Sequence, residues 1–463
     1  MPSAPWTRRL SPLDGSFLRL DTEQSPMHVG WSAIFAAPSD RPRPTIEALR
    51  ERAAGRLHDV PWSRWRLEEA PLGLSEPRWI DDAGFDLAAH VLQLTDPEDP
   101  VDEERFIQLR SAVLSAPLDR SRPLWQVVLV PRLHDGRVGM VGKIHHALAD
   151  GIAALQIGSL FVDIEADPPS SKPRAWRPSG RKGADGWSAD AARYAARDGA
   201  GALRAGTDAV THPRGTVAAA TRTARRIATA LSEELLPPAP SSGLNQPIGP
   251  RRKLIGYRAP RELLQAARRG GGTVNDIGLT AVAGALRTLA LRRGDPCEEP
   301  LKAMIPVSMR AIGDGDAGNQ IAMVYSPLPI HLANRAQRLA WVREETVRLK
   351  HTDRPEATHA FVQAAGLVPP VLRTPLVRAL AAPRQFNLTV SQTPPPRGSL
   401  FLLGCALDEA YSVVPIGRGH TLAIGMTRYH GDLFFGCYAD PEALPEVHEL
   451  PGLLEAELVG AAA

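Results

Sequence analysis

The chain has 463 residues, more than a single ordinary core accommodates, and two domains are expected. It is 43% hydrophobic and 23% charged, as soluble globular proteins are, and a net charge of +3 gives no overall bias toward nucleic acid. Three widely spaced cysteines, Cys297, Cys405 and Cys437, form no CxxC pair, which argues against a disulfide framework and suits a reducing cytoplasm. Met1 to Leu18 holds no long apolar stretch of the secretory type. No run approaches the roughly 18 apolar residues that cross a bilayer.

In chain order, the first segment mixes strands with helices. His28–Phe35, Trp125–Val130 and Val138–Ile144 read as strands. Residues 45–58 place apolar groups at helical spacing behind Thr45, a suitable cap. Glu103–Leu114 and Ile152–Asp163 read as helices, the second with its start beside two histidines.

Those histidines, His145 and His146, end the Val138–Ile144 strand and open the run His-His-Ala-Leu-Ala-Asp-Gly. Histidine titrates near neutrality, so it can take a proton from a hydroxyl and return it within one turnover. Asp150 is placed to be a fixed charge that shapes the turn, and Gly151 frees the backbone to make it. A zinc site is not expected: there is no HExxH, and the next histidine is His212 in a different kind of segment.

Residues 167–250 differ in texture. Prolines open and close the segment around an Ala/Arg/Gly/Thr-rich stretch, which reads as a linker with weak helices near Ala189–Arg204 and Thr216–Leu235. The second carries Arg222, Arg225 and Arg226. It can lie on an anionic membrane surface or pack as a solvated linker helix, and its alanine-rich apolar face favours the latter.

The last segment opens with a helix at Arg261–Arg269. Thr273-Val274-Asn275-Asp276 leads into an apolar helix, Ile277–Leu291. Strands are expected at Leu301–Val307, Ile321–Leu328, Phe386–Val390 and Leu422–Met426. The last of these pairs with Asp432–Tyr438 across a His430-Gly431 turn. Gly270-Gly271-Gly272 is not a phosphate loop, since no Lys-Ser/Thr follows it.

The HHxxxDG run resembles the signature of acyltransferases with the chloramphenicol acetyltransferase-like fold. Nearly the whole chain outside the linker resembles one branch, the bacterial wax ester synthase/diacylglycerol acyltransferases. The likeness rests on the order and spacing of several blocks: Leu10–Leu18 with Pro26–Gly30, Pro77–Asp82 with Phe85–Val91, Leu118–Trp125, Thr273–Asp276, Pro306–Arg310 and Gly318-Asn319. Two late stretches depart from the family pattern, Ser391–Pro396 and Arg428–Gly431, and these leave the exact substrate open.

The resemblance implies an α/β fold: two chloramphenicol acetyltransferase-like sandwich domains, at 1–166 and 251–463, joined by the linker at 167–250. An active-site channel is expected at the domain interface. It implies O-acyl transfer from acyl-CoA, as co-substrate and without another cofactor, to diacylglycerol or a long-chain alcohol. The alternatives are another acceptor, such as a glycolipid, or a non-catalytic lipid-binding member of the fold. His146 is implied as general base, with Asp150 and Gly151 holding the loop and His145 either orienting its neighbour or packing beneath it, the second being favoured. Asn275 is implied near the site, as oxyanion donor, helix cap or both. Arg310 either pairs with Asp150 or is solvated. The expected location is the cytoplasm, with peripheral visits to the inner membrane face or lipid droplets; nucleic acid is not an expected partner.

Overall fold

The computed structural model describes residues 8–463 except 39, 70–75, 149–155, 170, 179–220, 309–320, 353, 359–369, 397 and 463, and within 221–236 only 221, 222, 225, 228 and 232. Asp150, Gly151, Arg310, Gly318, Asn319 and nearly all of the two linker helices therefore lie outside the described residues. The first half carries β1 (Arg8–Arg9), α1 (Pro12–Leu20), β2 (His28–Ala36), α2 (Ile46–Arg56), β3 (Trp65–Glu68), β4 (Arg78–Asp81), β5 (Val91–Gln93), α3 (Glu103–Ser115), β6 (Trp125–Val130), β7 (Val138–His145) and β8 (Val162–Asp163). The second carries β9 (Lys253–Ala259), α4 (Arg261–Ala267), α5 (Val274–Arg293), β10 (Leu301–Ser308), β11 (Ile321–Leu328), α6 (Arg335–Lys350), α7 (Pro370–Leu380), β12 (Leu388–Thr393), β13 (Phe401–Leu402), β14 (Cys405–Val413), β15 (Leu422–Tyr429), β16 (Asp432–Ala439) and α8 (Leu450–Ala462).

Two mixed sheets organise these elements. A seven-stranded sheet runs β5-β6-β7-β2-β14-β13-β8, and a six-stranded sheet runs β11-β10-β12-β15-β16-β9. The small β1-β4-β3 sheet stands apart. β13 and β14 come from the second half of the chain yet complete the first sheet, with β14 antiparallel to β2 from Ala406↔Ala36 to Val413↔Gly30. Sequence order and sheet membership thus part company at residues 401–413, where no strand was expected. Asp408 and Glu409 interrupt the apolar pattern, and the strand bulges between Leu407 and Glu409. Arg137 pairs with both carboxylates, at 2.7 and 2.6 Å.

Local chemistry explains the helices. Ser11 caps α1 and shares a capping box with Asp14, while Thr45 caps α2 through Ala48 N–H at 3.2 Å. α5 is long and apolar enough to cross a membrane by length and composition, but 72% of that window is buried between α6, α8 and the second sheet. The β15–β16 hairpin forms where expected, with both His430 (φ 48°) and Gly431 (φ 96°) left-handed, as a two-residue turn between twisted strands requires. The three cysteines are unpaired.

One expected helix is corrected. Among the described residues of Ile152–Asp163, only 156–158 are helical; a turn follows, and Val162–Asp163 is strand β8, paired with β13. Buried Asp163 fixes this end by pairing with Arg52 at 2.6 Å and with Arg56. These long-range ion pairs outweigh local helix propensity.

The halves are tied by buried polar contacts. Arg252 pairs with Asp440 at 3.6 Å and donates to the Gln24 carbonyl. Arg110 donates to Leu254 O at 3.1 Å, and Ser25 Oγ donates to Ile416 O at 2.7 Å.

Candidate active site

β7 delivers both histidines. Every residue of the strand is buried, and one of them is Lys143, whose ammonium donates to Val113 O at 2.6 Å and Ala116 O at 2.5 Å. These carbonyls lie at the C-terminal end of α3, where the helix dipole favours a cation. Burial nonetheless brings the Lys143 ammonium down to about 8. The strand is thereby pinned to α3 just ahead of the histidine turn.

His145 is 1% exposed. Ala147 N–H donates to its Nδ1 at 3.0 Å, so the proton of the neutral ring sits on Nε2, which lies 3.6 Å from Asp21 Oδ2. Asp21 also accepts from Met27 N–H at 2.8 Å and from Arg120 at 2.8 Å. Burial pushes this carboxyl up, but the His145 ring, the Met27 N–H and Arg120 outweigh it and hold it well below the usual carboxylate range. Packing beneath its neighbour, the role favoured from sequence, describes only part of this arrangement, because the His145 ring also faces the Asp21 carboxylate.

His146 is held from three directions. Its N–H donates to Met27 O at 2.8 Å, and its ring stacks on Phe17 with centroids 3.8 Å apart and planes within 6°. The third constraint is the Ala147 N–H bond to His145 just after it. Asp21 therefore reaches His146 by two routes, through His145 and through the Met27 peptide. Sequence reasoning missed Asp21 and Phe17 as site residues, although both lie in or beside the quoted N-terminal blocks.

His146 faces a cavity of about 910 Å³ lined from both halves of the chain. α1, Met27 and His146 form one side. Met304, Ile321, Met323, Tyr325, Phe386, α7 and the Val414–Gly419 loop form the other. The lining includes no Asp, Glu or Lys among the described residues. Such a space suits a long apolar substrate presented to a single imidazole.

Asn275 does not line this cavity. It is the second residue of α5, inside the first turn. The cap is Thr273, which accepts from Asp276 N–H at 3.2 Å, while the Asp276 carboxylate accepts from Thr273 N–H at 2.7 Å and from its hydroxyl at 2.8 Å. Thr273 and Asp276 thus cap the helix, and the capping role expected for the Asn-Asp pair falls to Asp276 alone, closing a capping box.

Comparison with known proteins identifies the family of the chain. Residues 10–278 match the wax ester synthase/diacylglycerol acyltransferase catalytic domain, and residues 317–460 match the WS/DGAT C-terminal domain. Relatives in Mycobacterium tuberculosis include "Probable diacyglycerol O-acyltransferase tgs2", 29% identical over 97% of both chains, and tgs1 of the same description, 29% identical over 95% of this chain and 93% of that one. The wax ester synthase/diacylglycerol acyltransferase of Marinobacter aquaeolei shares the fold with a TM-score of 0.68 at 23% identity, over 98% of both chains. The starter condensation domain of rhizomide synthetase shares it at 0.59 and 14% identity, over 99% of this chain and 95% of that one. Matched by family along both halves, and sharing that two-domain α/β fold over nearly its full length, the chain is an acyltransferase that belongs to the wax ester synthase/diacylglycerol acyltransferase family.

Proposed function

We propose that the protein moves a fatty acyl group from acyl-CoA to the hydroxyl of a hydrophobic alcohol, diacylglycerol first and a long-chain alcohol second, with His146 as general base. The observation that carries this reading is the position of His146, set by backbone and ring contacts, on the wall of a large cavity with no carboxylate among its described lining residues. The relatives named as diacylglycerol acyltransferases support the acceptor class.

His146 takes the hydroxyl proton as the oxygen attacks the thioester carbon. The C–O bond forms, the C–S bond breaks, and the proton passes to the departing thiolate, so no resident cofactor is needed. Asp150 and Gly151 are assigned to holding the turn that follows. The proposed location is the cytoplasm, at the inner membrane face or a lipid droplet, where such acceptors reside.

Purified protein with long-chain acyl-CoA and a panel of acceptors tests the reading through thiol release. Release stimulated by diacylglycerol or hexadecanol, with the matching ester as product, is expected. Release only with a glycolipid, or with no acceptor in the panel, would overturn the assignment.

A further inference from the structure

We infer that the cavity rim formed by the end of α7 and the Val414–Gly419 loop is a docking surface for an anionic lipid bilayer, with Arg378, Arg384 and Arg418 as its headgroup contacts. The inference rests on the lipid-borne acceptor proposed above and adds the place where the enzyme meets it.

Charge points to the partner. Among the described residues lining the cavity, the cationic side chains are Arg19, Arg378 and Arg418. Arg19 is neutralised by Glu76 at 2.8 Å. Arg378 and Arg418 are exposed, as is Arg384, and none of the three makes an ion pair with a described residue. The backbone gathers two of them. Gly419 is left-handed (φ 82°), and a Cβ there would come within 2.2 Å of the Pro383 ring. That close approach sets Arg418 and Arg384, the chain neighbours of these two residues, on one rim.

Apolar surface points the same way. α7 covers the cavity, yet none of its described side chains is fully buried. Leu376, Val377 and Leu380 line the cavity and stay partly exposed. Half-buried aliphatic groups beside arginines that have no ion-pair partner among the described residues form the two-part surface that anionic bilayers attract, by insertion and by headgroup pairing. A mouth lying on the membrane would let the acceptor enter the cavity without crossing water.

The test uses the full-length protein and vesicles of phosphatidylglycerol with phosphatidylcholine, or of phosphatidylcholine alone. Wild type should float with the anionic vesicles at low salt and less at high salt. The triple variant Arg378→Gln, Arg384→Gln, Arg418→Gln should bind about a hundredfold more weakly, at roughly a factor of five per arginine. The matching triple Lys variant should retain most binding, which separates charge from folding. Wild-type acyl transfer to a soluble short-chain alcohol, measured without vesicles, reports the proposed chemistry by itself, so failure of docking and failure of that chemistry read out separately. Unchanged vesicle binding in the Gln variant would overturn the inference. So would loss of binding on changing Arg222, Arg225 and Arg226 instead. A raised KM for acyl-CoA with the soluble acceptor would reassign the arginines to the donor's phosphates.

Discussion

Two histidines are buried on opposite sides of the cavity, and they are kept in different ways. His145 faces Asp21, and its ring is fixed by Ala147 N–H. His420 lies behind the far wall, stacked on Phe386 with centroids 3.9 Å apart, its Nε2 3.2 Å from the Phe386 carbonyl. Burial brings His420 down to about 4, although its bonds to backbone carbonyls resist the fall. One side of the cavity is organised around charge and the other around apolar surface with a neutral ring. Under the proposed mechanism, the chemistry belongs to the histidine side and substrate accommodation to the apolar one.

The largest test of that division is His146→Ala. Loss of a general base typically costs a hundredfold or more, and the alanine leaves β7 and its pairing with β2 intact. Thiol release with acceptor should fall by at least about a hundredfold while the melting transition stays close to wild type. Activity within about tenfold of wild type would remove His146 from the mechanism.

The far side should show itself in acid. The unfolded His420 titrates near 6.5 and the folded one near 4. Between these values the unfolded chain binds a proton that the native state refuses, so stability rises with pH. The contribution is complete above pH 6.5 and is lost as pH falls toward 4, about 3 kcal/mol in all. Denaturant unfolding at pH 7 and pH 4.5 should show a smaller acid-induced loss in His420→Gln than in wild type. Equal losses would place the acid sensitivity elsewhere.

Asp21→Asn separates position from chemistry on the histidine side. Asparagine keeps an acceptor for Met27 N–H but removes the charge that faces His145 and Arg120. The His146 ring should then sit less firmly, lowering kcat about tenfold with little change in KM. A variant that melts earlier yet keeps its kcat would make Asp21 a purely structural post.

What the sequence made legible follows from the range of each interaction. β6, β7, β10, β11 and the β15–β16 hairpin read correctly because alternation, apolar runs and a His-Gly turn are local signals. His145 and His146 read as a pair because they are adjacent. Asp21 did not, because it meets them from another loop and no period links residue 21 to residue 145. β14 stayed hidden for the same reason: its acidic centre is satisfied by Arg137, far away in sequence. Asp163 likewise replaced the expected helical end at Val162–Asp163 with an edge strand, through pairing with Arg52 and Arg56.

The smallest expected effect sharpens the Asn-Asp pair. Its residues were read together, but the fold separates them: Asp276 is buried and bonded to Thr273, and Asn275 is partly buried and off the cavity lining. Asp276→Ala should therefore cost stability, about 1 kcal/mol as lost helix caps do. Asn275→Ala should leave kcat within about tenfold, well short of the hundredfold or greater loss that follows removal of an oxyanion donor. Should Asn275→Ala instead lose activity on that larger scale at an unchanged melting temperature, the start of α5 would have to reach the reacting carbonyl, and the charged side of the site would extend into the second half of the chain.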